Sequence, residues 1–144
     1  MESQPVNRVA QCSCGNLKAT ATGDPDAVVA CHCVACQRRT GSVLGVSAYW
    51  PENRVHISGQ SKTWMRIADS GSEFTTHFCP NCGASLYWIA GNKPGAVGIA
   101  VGAFGDPSFP NPIRSVWEQT MHQWVTIVVA RDHFLRGRAS IGPT

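Results

Sequence analysis

The chain has 144 residues, 43% hydrophobic and 15% charged, with a formal net charge of +3. That length fits one domain with a core of its own. The low charged fraction excludes an extended disordered chain, and +3 without a long basic run gives no footprint of a nucleic-acid binder.

Short strand signals follow one another along the chain. Asn16–Thr22 alternates loosely, with Leu17, Ala19 and Ala21 set against Lys18, Thr20 and Thr22. The stretch Cys33–Thr40 is the best short helical candidate. Further strands are expected at Val43–Trp50, Arg54–Ser58, Lys62–Ala68, Phe74–Phe78, Ser85–Ile89, Ala96–Val101 and Ser115–Glu118. Turn signals such as Gly23-Asp24-Pro25, Asp69-Ser70-Gly71 and Gly105-Asp106-Pro107 separate many of them. Pro107–Pro112 holds three prolines and is read as an extended crossing loop. The pattern predicts an all-β domain of twisted antiparallel sheets.

Met1 to Gln11 carries no secretory pattern, and the apolar runs Val97–Phe104 and Trp124–Ala130 are too short to span a bilayer. The expected compartment is therefore the cytoplasm, away from the membrane, where clustered cysteines point to metal or redox chemistry more than to disulfides. Seven is also an odd count for a disulfide framework.

All seven cysteines fall in three groups: Cys12-Ser-Cys14-Gly15, Cys31-His-Cys33-Val-Ala-Cys36 and Cys79-Pro-Asn-Cys82-Gly83. The C-x-x-C spacing lets one turn present two sulfurs to one tetrahedral Zn²⁺, and a glycine behind the second cysteine permits a positive φ. Counting favours four plus three. Cys12, Cys14, Cys79 and Cys82 would form a closed structural site, and Cys31, Cys33 and Cys36 a second site with an open fourth position, giving two Zn²⁺ per chain. Spacing alone also allows a single zinc ribbon on Cys33, Cys36, Cys79 and Cys82. A thioredoxin-like Cys33–Cys36 pair lacks the βαβ context it needs. Seven thiolates and two Zn²⁺ together carry about −3, enough to offset the apparent basicity.

Four stretches carry a resemblance: Cys12–Gly15, Val28–Ser42 (Val-Val-Ala-Cys-His-Cys-x-x-Cys-x-Arg-Arg-x-Gly-Ser), Asp69–Gly71 and His77–Gly83. Together with Val101–Pro107 and Val116-Trp117 they resemble the glutathione-dependent formaldehyde-activating enzyme family, from about Cys12 to Val125. The resemblance implies the Mss4-like, β-tent zinc fold, so the expectation is a single zinc-binding domain over 1–144 with 126–144 as a C-terminal extension. It also implies the four-plus-three partition and a carbon–sulfur lyase reaction that joins formaldehyde to the thiol of glutathione. The expected partners are thus a small thiol such as glutathione and an aldehyde. The contrasting expectation is a non-catalytic β-tent binding module with a protein partner.

An open three-cysteine site suits this chemistry, because a thiol is a natural fourth ligand and loses its proton on coordination. Arg38 and Arg39 directly follow Cys36 and are candidates to meet a glutathione carboxylate, or else a solvated pair. Alternation puts His77 on the face of Cys79, where it could bond a cysteine sulfur, with a plain surface or core histidine the commoner role. His32 should point away from the metal its neighbours hold. Trp117, His122 and Trp124 can line a pocket, with aromatic core packing the commoner role.

Overall fold

The computed structural model describes residues 6–137. Strand makes up 41% and helix 13%, the mainly-β class expected. The described residues form two compact units, one of 6–26 with 48–108 and one of 27–47 with 109–137.

In the first unit, β1 (Asn7–Gln11) and β2 (Lys18–Thr22) form an antiparallel hairpin, with Asn7 opposite Thr22 and Gln11 opposite Lys18. β5 (Val55–Ser58) adds on the far side of β2. The alternation read in β2 is real: Ala19 and Ala21 are fully buried while Lys18 is exposed. A second antiparallel run has the order β9-β8-β7-β6, made from Ala96–Ala100, Ser85–Ala90, Glu73–Phe78 and Lys62–Ile67. Leu86, Trp88 and Ile99 are buried there. The β7–β8 register shifts between His77 and Phe78, immediately before Cys79, so the ladder loosens where the chain must turn out.

The second unit departs from the antiparallel expectation. β3 (Ala27–Cys31) pairs in parallel with β10 (Arg114–Val116), and β10 pairs in parallel with β11 (Asp132–His133). β3 was not expected as a strand. Its Val28, Val29 and Ala30 are buried without a break, which is how a parallel strand covered on both faces reads and why an alternation test passes it over. The helix α1 (Val34–Thr40) follows, capped by Cys33. β4 (Gly45–Pro51) begins in the second unit and ends in the first. Pro107–Pro112 forms no strand, as its prolines require.

Candidate metal centres

Cys12 and Cys14 lie between β1 and β2, and Cys79 and Cys82 between β7 and β8. The two loops are built alike. Cys12 N–H bonds Leu17 O at 2.9 Å and Gly15 N–H returns to Cys12 O at 3.1 Å. In parallel, Cys79 N–H bonds Ala84 O at 3.0 Å and Gly83 N–H returns to Cys79 O at 2.8 Å. Gly15 and Gly83 take φ of 82° and 80°, the left-handed turn that their position after each cysteine pair predicted. Each turn aims backbone N–H groups at sulfur: Leu17 N–H at Cys12 Sγ (3.2 Å), and Asn81 and Cys82 N–H at Cys79 Sγ (3.4 and 3.5 Å).

The four sulfurs meet, with Cys14 Sγ 3.7 Å from both Cys12 Sγ and Cys79 Sγ. Zn–S bonds of about 2.3 Å at tetrahedral angles put sulfurs about 3.8 Å apart. The donor set therefore fits a zinc ion in both chemistry and spacing. Thiolate character is already favoured at the rim. Cys82 is held down at about 6 by the backbone N–H groups of Ala84 and Cys14, and Cys14 is lowered by the Asn81 side chain and the Asn16 backbone.

The second group is local. Cys31 ends β3, Cys33 caps α1 and Cys36 is buried in the helix, and their three sulfurs lie within 4.8 Å of one another. No further Cys, His, Asp or Glu among the described residues joins them. Cys36 N–H donates to Cys33 Sγ at 3.3 Å. Crowding makes ionising these thiols costly without a cation. Hydrogen bonding to Cys33 and Cys36, and then burial, push the Cys31 thiol far up. A divalent ion would reverse that balance, since a coordinating thiol gives up its proton.

His32 sits between two of these cysteines, is fully buried, and is held through its backbone and one ring nitrogen. Its N–H donates to Val116 O (3.0 Å), and its carbonyl accepts from Thr120 Oγ1 (2.8 Å) and Gln37 Nε2 (2.9 Å). Gln37 Nε2 also reaches Thr120 O at 3.1 Å, and His122 Nε2 donates to Gln37 Oε1 at 2.9 Å. The His32 ring lies 2.8 Å from Ser115 Oγ. In that pair one of the two, ring nitrogen or hydroxyl, donates and the other accepts. Burial holds the ring below the usual histidine range, so it is neutral, with Nδ1 unpartnered. Glu118 in turn bonds His133 Nδ1 at 2.7 Å.

The arginines separate. Arg39 is half-buried and lies against Gly45, whereas Arg38 is exposed at the end of α1. The bond from Cys31 lowers the Cys36 thiol, but its bond to Cys33 and burial outweigh that and leave it raised, with the Arg39 charge only a small opposing effect. Two other expectations are corrected, and His77 takes the plainer of its expected roles. His77 bonds Ser61 Oγ at 2.9 Å and stacks on Tyr87 rather than holding a sulfur, because its ring turns along the sheet toward β8. Trp124 is no core residue: it is 74% exposed and meets His122 edge-on. Trp117 is not a core aromatic either, being only partly covered under the Arg136 guanidinium with a left-handed φ of 59°. Gln37, Ser115, Thr120 and Glu118 were missed. Only Gln37 left a trace, one helical turn beyond Cys33. A cavity of about 580 Å³ borders the first cluster, lined among others by Gln11, Cys12, Ser13, Ser85 and Phe104. None of the second cluster's cysteines lines it.

The sequence profile of the family described as glutathione-dependent formaldehyde-activating enzyme matches residues 7–126. Curated proteins give no match. Among solved structures, the chain is similar to a Rhodobacter sphaeroides protein at 18% identity and a TM-score of 0.48, over 66% of this chain and 85% of that one.

Proposed function

The chain belongs to the glutathione-dependent formaldehyde-activating enzyme family, and on that premise we propose that it is a zinc-dependent carbon–sulfur lyase acting on an adduct of glutathione with formaldehyde or a related aldehyde. The observation that carries this reading is the three-sulfur cluster of Cys31, Cys33 and Cys36, to which no fourth His, Cys, Asp or Glu among the described residues is added. Zinc held there supplies a soft charge with affinity for a thiol sulfur. Cys12, Cys14, Cys79 and Cys82 are proposed to hold a second, structural zinc.

The chain's own groups divide the remaining work. Three thiolates against one Zn²⁺ leave a net charge of about −1, which Arg39 beside Cys36 offsets. Exposed Arg38 is free to meet a glutathione carboxylate. His32, buried and gripped, serves to fix Cys31 and Cys33 and not to carry protons to substrate. In the forward direction the thiol sulfur forms a bond to the aldehyde carbon, and the thiol proton ends on the former carbonyl oxygen.

The test is the rate of S-hydroxymethylglutathione formation, followed by NMR exchange between glutathione and formaldehyde. Zinc-loaded protein should speed the exchange, and Cys33→Ser should abolish the effect while keeping one zinc per chain. Protein with two zincs that gives no acceleration would reject the lyase and leave a zinc-stabilised binding module. Calorimetry adds the substrate side: S-methylglutathione keeps both carboxylates but has no free thiol, and should bind far more weakly than glutathione.

A further inference from the structure

The strand β6 ends the sheet order β9-β8-β7-β6, and no described strand lies on its outer side. Edge strands usually carry protection such as inward charges, proline or a bulge. Over Lys62–Ile67, β6 has no proline and pairs with β7 in unbroken register, and its only charges are Lys62 at its start and Arg66. Both of its faces also show apolar groups to solvent: Trp64 is 63% exposed, Met65 47% and Ile67 60%. Ile89, in line with Met65 across Thr75, extends the exposed apolar row.

We propose that this edge pairs with the same edge of a second copy, giving an antiparallel two-fold dimer centred on Met65. The choice of partner and register follows from the sequence of the strand. An antiparallel edge contact between identical strands has its dyad perpendicular to the sheet, so one residue must face itself and its neighbours pair symmetrically. Centring on Trp64 sets Lys62 against Arg66 of the second copy, and centring on Arg66 sets that residue against itself. Both oppose like charges, which destabilises a cross-strand pair. Centring on Met65 opposes none. Lys62 then faces Ala68, Thr63 faces Ile67, and Trp64 faces Arg66 of the second copy. Arg66 already lies 4.6 Å over the Phe74 ring of its own β7. In the dimer its guanidinium would lie between two aromatic rings, its own Phe74 and the incoming Trp64. Centring further out, on Thr63 or Ile67, also avoids like charges but pairs fewer of the strand's own residues with each other, so the Met65 register is the one that joins the whole strand without repulsion.

A six-residue strand spans about 20 Å and by itself covers less than the roughly 800 Å² per partner of a stable complex. The dimer should therefore be weak, with Kd on the order of 10–100 µM. Sedimentation equilibrium of the zinc-loaded protein from about 1 to 200 µM should show monomer passing to dimer, and Met65→Lys, which sets two ammonium groups against each other on the dyad, should stay monomeric with unchanged zinc content and circular dichroism. A wild-type protein that is monomeric throughout, or a Met65→Lys dimer of unchanged Kd, would overturn the proposal. Register is read separately. Met65→Cys should form an intermolecular disulfide in air, because self-facing residues sit about 4.5–5.5 Å apart between Cα atoms. Trp64→Cys should not. Equal cross-linking of the two variants would overturn the Met65-centred register.

Discussion

Replacing Ser115 by Ala should destabilise the protein through His32, and the cost can be worked from the geometry. His32 and Ser115 are both fully buried and bonded at 2.8 Å. His32 Nδ1 already has no partner, so losing the Ser115 hydroxyl would leave both nitrogens of a neutral buried imidazole unsatisfied. An orphaned buried donor or acceptor costs about 1–3 kcal/mol. Taking about 2 kcal/mol, and about 3–5 °C per kcal/mol for a chain of this length, Tm should fall by roughly 6–10 °C. The assay is urea and thermal unfolding of zinc-loaded protein, in wild-type and His32→Phe backgrounds. With an apolar ring at position 32 there is no ring nitrogen to orphan, and Ser115→Ala should then cost less than about 0.5 kcal/mol. The same loss in both backgrounds would refute the reasoning, since the hydroxyl would then act through something other than His32.

The remaining predictions address the clusters and the Glu118–His133 pair. Cys82→Ser should lower solubility and Tm sharply, whereas Cys33→Ser should leave a folded protein with one zinc; metal analysis with circular dichroism distinguishes them. Gln37→Ala removes its bond to the His32 carbonyl and its bonds with Thr120 O and His122 but leaves the Thr120 hydroxyl on that carbonyl, so zinc loss to a chelator should quicken about 10-fold at the three-cysteine cluster alone. His133 is raised by its bond to Glu118, while Glu118 is lowered by that bond against the opposing effect of burial. The histidine's contribution is complete below its unfolded value of about 6.5 and is lost as pH rises through its higher folded value. The carboxylate's is present above about 4.5 and is lost as pH falls through its lower folded value. Wild-type Tm should accordingly fall more than that of His133→Gln between about pH 6 and 8, and parallel curves would refute the coupling.

Legibility in the sequence followed the range of the interaction. The knuckles were readable because Cys-x-Cys-Gly and Cys-x-x-Cys-Gly encode their own turns, with each glycine where a positive φ is needed. β2, β6 and β8 were readable from composition and flanking turns. What failed was non-local. β3 looks like any short apolar run until β10 lies beside it in parallel. Thr120 and Ser115 reach His32 across 88 and 83 residues, and nothing near them in sequence marks them as supports of a cysteine cluster. The sulfur-bonding role considered for His77 failed for the opposite reason. Alternation placed it on the face of Cys79, but the register shift after it breaks the period on which that inference stood.

The two cysteine clusters differ in what holding a metal can do for the fold, and that difference bears on which one is free to react. Cys14 and Cys79 are 65 residues apart, so a metal shared between their loops closes a long segment of chain. Cys31, Cys33 and Cys36 lie within six residues and are already set in place by a strand end, a helix cap and the grip on His32. Loop-closure entropy grows as about (3/2)RT ln n, so the long closure is worth about 2 kcal/mol more than the short one. A metal in the first cluster is therefore bound up with folding, and its loss would release the β1–β2 and β7–β8 loops together. A metal in the second cluster adds little to a local structure that hydrogen bonds have already built, so its coordination can change with small effect on the rest of the chain. Cys82→Ser and Cys33→Ser test this asymmetry directly: the first should shift the unfolding transition by several degrees more than the second, although each removes a single sulfur.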